Sequence, residues 1–151
     1  MWYRVFCRSV EELPPGDLLA KMRESGCPVE GRFRWDNLGW TAADFALGQG
    51  TPVFAERYLT DTDDLRKELN TWAAYLETLD YSPNSMPLME RVIQTKQVVT
   101  VRKPLAHPDE VGVEKLCETL CRTLAAAGDG VYQIEGVGWY AGDGTELVKE
   151  Y

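Results

Sequence analysis

A chain of 151 residues with 44% hydrophobic and 26% charged side chains has the composition of one folded domain, which excludes a disordered or fibrous protein. Its formal charge of -8 argues against nonspecific binding to nucleic-acid backbones and suits cationic ligands, basic partners or plain solubility. No run approaches the roughly 18 apolar residues of a membrane helix, and the start, MWYRVFCRSVEE, has no signal-peptide pattern. The expectation is a cytoplasmic protein, without membrane or nucleic-acid partners, whose four Cys are free thiols.

Residues 2 to 8 alternate as a strand, with Tyr3, Val5 and Cys7 on one face and Trp2, Arg4, Phe6 and Arg8 on the other. Pro14-Pro15-Gly16-Asp17 leads into a helix to about Ser25, which Gly26 and Pro28 stop. Strands near 31 to 36 and 39 to 47 are joined by Asp36-Asn37-Leu38-Gly39, and Pro52 to Leu59 reads as another. Leu65, Leu69, Trp72, Ala73, Leu76 and Leu79 then recur at helical spacing, so Trp72 is expected to face the core. Tyr75 and Tyr81 lie off that stripe and remain candidates for a surface role.

Pro87 predicts a short helix to about Thr95, and Gln97 to Lys103 reads as a strand. Pro108 is expected at the first helical position of a helix that runs to Ala127, stopped by Gly128-Asp129-Gly130. Strands near 131 to 135 and 138 to 149 close the chain; Gly142-Asp143-Gly144 either interrupts the second or makes a tight hairpin turn.

FRWDNLGW (33 to 40) and YQIEGVGW (132 to 139) match position by position in character. Each follows a helix that ends in Gly, and each helix follows a strand with Arg near its end, Arg8 or Arg102. The expectation is a single α+β domain, 1 to 151, in which two strand-helix-strand-strand repeats, about 2 to 47 and 97 to 149, are joined by an inserted strand-helix segment, 52 to 95. Their strands would form one mainly antiparallel sheet with the helices packed on one face. This element order is similar to the tandem domains of the GyrI-like multidrug-binding proteins, and the resemblance implies a central groove for lipophilic cations lined by aromatic and acidic side chains.

No residue pattern spells out a reaction. His107, the single His, precedes a helix as a cap or turn residue would, and there is no G-x-S-x-G. Cys117 and Cys121 share a helical face with leucines, as buried thiols do, and no second pair has zinc spacing. Asp61-Thr62-Asp63-Asp64 starts like a calcium loop but meets Arg66 and Trp72 where Gly and Glu are needed. Neither a metal nor a cofactor is expected. The informative feature is the second face of the strands, where alternation collects Trp2, Arg4, Phe6, Arg34, Trp40, Asp44, Glu56 and Tyr58. Aromatic and charged side chains so interleaved suit a solvated face, a subunit interface such as that of a homodimer, or a groove. The reading is a binding protein that recognises a small organic ligand or a protein partner there. The alternatives are an enzyme that uses a groove carboxylate, hydrolase-like or other, and an acidic inhibitor or partner of a basic protein.

Overall fold

The computed structural model describes residues 1–151. Its elements in chain order are β1 (Trp2–Cys7), α1 (Pro15–Glu24), β2 (Glu30–Asp36), β3 (Gly39–Ala46), β4 (Val53–Leu59), α2 (Arg66–Thr78), α3 (Ser85–Ile93), β5 (Gln97–Arg102), α4 (Glu110–Ala127), β6 (Gly130–Ile134), β7 (Gly138–Ala141) and β8 (Glu146–Lys149). All eight strands join one open sheet in the order β2-β3-β4-β5-β1-β6-β7-β8, and each neighbouring pair is antiparallel. The α+β class follows. No helix is long and apolar enough to cross a membrane.

Local signals set the element ends. Pro15 opens α1, where its missing N–H is not needed, and Gly26 takes the left-handed turn after it at φ 84°. Helix α4 is capped by Asp109, whose carboxylate accepts from Gly112 N at 2.9 Å, so Pro108 lies outside the helix rather than at its first position. Gly144, at φ 89°, makes the β7–β8 connection a turn between two strands.

Helices cover both faces of the sheet, which corrects the expectation of helices on one face. On the first face, Tyr3, Val5, Phe45, Ala55, Val101 and Tyr132 pack under α1 and α4, which contribute Leu18, Met22, Leu116, Leu120 and Leu124. On the second face the strand register produces two contrasting rows. Tyr58, Val98, Phe6 and Val131 stand side by side at one end, and Glu56, Thr100, Arg4 and Gln133 stand side by side next to them. The apolar row cannot stay in water. Leu69 and Leu76 of α2 and Leu88 and Val92 of α3 close over it and over Trp139, and each large side chain so buried stabilises the fold by about 1.5–3 kcal/mol. The polar row is left open from Glu56 through Thr100 to Arg4, while Gln133 at its end is buried.

The two similar octapeptides occupy unlike places. Hairpin β2–β3 runs from the sheet edge inward, whereas β6–β7 runs outward from beside the central strand β1. Trp40 lies in the first-face core against Phe33, and Trp139 lies in the second-face core stacked on Phe6.

Candidate functional site

The open polar row forms a groove of about 500 Å³ between the sheet and the start of α2, lined among others by Trp2, Arg4, Glu56, Tyr58, Asp63 and Glu68. Strand alternation raises Arg4, Glu56 and Thr100 on one face, and α2 enters over them because its approach is pinned. Asp63 Oδ2 accepts from Leu59 N at 2.7 Å, Thr60 Oγ1 donates to Thr95 O at 2.9 Å, and Asp64 adopts φ 54°. These contacts bring Leu65 against the sheet and set the exposed Glu68 at the edge of the groove. A smaller hollow of about 250 Å³ adjoins through Glu56, Tyr58 and Asp63 and reaches Arg34 and Trp40.

The groove is electrostatically one-sided. Glu56, Asp63 and Glu68 take part in no salt bridge. Arg4, the one cation lining the groove, is engaged elsewhere: its Nη1 donates to Gln133 Oε1 at 3.1 Å, its Nη2 reaches Glu135 Oε1 at 3.4 Å, and its guanidinium lies 4.7 Å from the centre of the Trp72 ring. Arg102 is drawn to aromatic rings too, at 5.8 Å over Trp2 and 5.6 Å over Phe54. Burial first, and then the charge and hydrogen bond of Glu56, push the Tyr58 phenol above its ordinary value, so it stays a neutral donor. No group of three or more His, Cys, Asp and Glu side chains is gathered closely enough to hold a metal ion.

Of the residues singled out from sequence, Trp2, Arg4, Glu56 and Tyr58 meet in the groove and Arg34 borders the smaller hollow. Phe6 has the expected face but is sealed beneath α2 and Trp139 at 2% exposure. Asp44 stands on the same face, opposite Phe54 and Arg32, outside both hollows. Trp40 is a correction. Ala42 pairs with Arg34 but Trp40 pairs with Trp35, so Thr41 is an extra residue that reverses the alternation and turns the Trp40 ring into the first-face core. Asp63 and Glu68 were missed as lining, although the acidic run 61 to 64 and the helical spacing from Leu65 to Glu68 place both at the start of α2.

Compared with known protein families, curated proteins and solved structures, the chain matches none. The GyrI-like resemblance remains one of element order.

Proposed function

We propose that the chain is a binding protein for aromatic organic cations, with Glu56, Asp63 and Glu68 supplying the charge and Trp2 and Tyr58 the apolar walls. One observation carries the reading: three carboxylates line the groove with no side-chain cation paired to them. The volume supports it, since small-molecule sites span about 300–1,000 Å³. So does the chemistry, because a cation beside aromatic faces gains about 0.5–2 kcal/mol beyond its ion pairing. His107, buried just before α4, lines neither hollow, so any acid–base use of the groove would rest on its carboxylates.

Tetraphenylphosphonium and tetraphenylborate share a shape and differ in the sign of charge, which makes them the direct test. Calorimetric titration is expected to show the phosphonium binding and the borate not. Glu56→Gln is expected to weaken phosphonium binding by about tenfold, or about 1.4 kcal/mol, while Asp44→Asn, which removes a charge from the same face outside the groove, leaves it unchanged. Equal binding of the two ions, or equal loss in both variants, rejects the reading.

A further inference from the structure

A second pocket, of about 430 Å³, is bordered by Trp72 and Tyr75 of α2 and by Gln133, Glu135 and Glu150, and it shares no residue with the Glu56 groove. Glu150 is only 8% exposed. Each of its oxygens is met by a neutral donor: the Tyr75 hydroxyl donates to Oε2 and Gln133 Nε2 donates to Oε1 at 3.0 Å. No Lys, Arg or His forms a salt bridge with it. The nearest cation in this network is Arg4, one amide removed, since its Nη1 donates to the opposite end of the same Gln133 side chain. Arg4 also serves Glu135, at 3.4 Å. One guanidinium therefore stands against two carboxylates, and the more buried of the two lacks a direct counter-ion.

A buried carboxylate without a cation is costly, and an aromatic-walled hollow favours a cation that sheds its water readily. An alkylated ammonium meets that requirement and a small hydrated metal ion does not. Tyr75 is held ready for the role: burial and its bond to Glu150 push the phenol up to about 12, so it remains a donor that fixes the carboxylate. Arg4 already lies over the Trp72 ring, leaving Tyr75 as the principal ring for a ligand. We propose that this pocket binds a compact alkylammonium group, held by Glu150 with Glu135 at the rim and seated against Tyr75 and Trp72. The site stands on its own residues and does not depend on the reading of the Glu56 groove.

Choline and its uncharged tert-butyl isostere are the probes, followed by amide NMR. Choline is expected to shift the Thr71, Tyr75 and Gly136 amides with millimolar affinity, and the isostere is expected to leave them in place. Glu150→Gln is expected to weaken choline at least about tenfold. Should that variant melt at a lower temperature than the parent, Glu135→Gln at the exposed rim tests the same charge in an intact fold and is expected to weaken binding about threefold. Asp44→Asn is expected to change nothing. Absence of shifts, equal shifts from the isostere, indifference to both Glu variants, or shifts confined to Tyr58, Leu65 and Thr100 would each overturn the assignment.

Discussion

Arg57 is the one buried arginine, and its guanidinium meets only neutral acceptors: Gln97 Oε1 at 2.8 Å, the Leu38 and Trp40 carbonyls at 3.2 Å each, and the Val10 carbonyl at 3.5 Å. It thereby ties the β2–β3 turn and the segment after β1 to the centre of the sheet. Removing it strands several acceptors, each costing about 1–3 kcal/mol when left unpaired and buried. Arg57→Met is therefore expected to lower the unfolding free energy by about 3 kcal/mol in urea titration, whereas a loss below about 0.5 kcal/mol, the range of ordinary surface changes, would show that the carbonyls find other donors. The sequence gives no hint of this role. Alternation alone puts Arg57 on the face opposite Glu56 and Tyr58, and only the folded connections reveal what it reaches there. The same rule of twos did locate Trp2, Arg4, Glu56 and Tyr58, because their strands run without interruption. It misplaced the Trp40 ring because one extra residue at Thr41 inverts every face beyond it.

Helix α2 decides which part of the second face is core and which is site. Leu69, Ala73 and Leu76 are buried on its inner side, while Glu68 lines one pocket and Trp72 and Tyr75 line the other. Leu76 is fully buried, so Leu76→Ala is expected to cost about 2–5 kcal/mol through lost burial and the cavity left behind, read as a lower urea midpoint with unchanged slope. A cost under about 1 kcal/mol would mean that α2 shifts to fill the space, and both pockets would change shape with it. The helix itself was legible in the 3.6-residue spacing of its leucines, and Tyr75 stood out as lying off that stripe. What the spacing does not carry is the face on which the stripe lands. That choice follows from Phe6, Val98 and Val131 falling into one row, which depends on pairings between strands more than 90 positions apart in the chain. The octapeptide likeness leaves the place of each hairpin unspecified for a related reason. Matching turns and tryptophans fix the hairpin, but the place of the hairpin in the sheet is fixed by β4 entering between β3 and β5.

At the scale of the molecule, a sheet with helices packed on both faces buries thiols and phenols whose ionisation opposes folding in alkali. Burial pushes the Cys7 and Cys117 thiols up to about 12 from an ordinary 9.0, and Tyr75 and Tyr132 up to about 12 from an ordinary 10.0. All four folded values are raised, so their contribution is intact below the unfolded values and is lost as pH climbs toward the folded ones. Stability is therefore expected to be level from neutrality to about pH 9. Above that, the unfolded chain releases protons that the native state keeps, and each buried thiol costs about 1.4 kcal/mol per pH unit. Asp129 acts in the opposite direction. The bonded Arg8 guanidinium lowers its carboxyl below the ordinary 3.8, so the stability it lends is present at neutral pH and fades only in strong acid. Urea midpoints measured across the alkaline range are expected to fall from about pH 9 onward, and in Cys117→Ala they are expected to fall less steeply, by the slope of one proton. An identical slope in that variant would mean that the α4 thiol ionises as readily in the native state as in the unfolded chain, and the first-face core would then be open where the packing of Leu116, Leu120 and Tyr3 closes it.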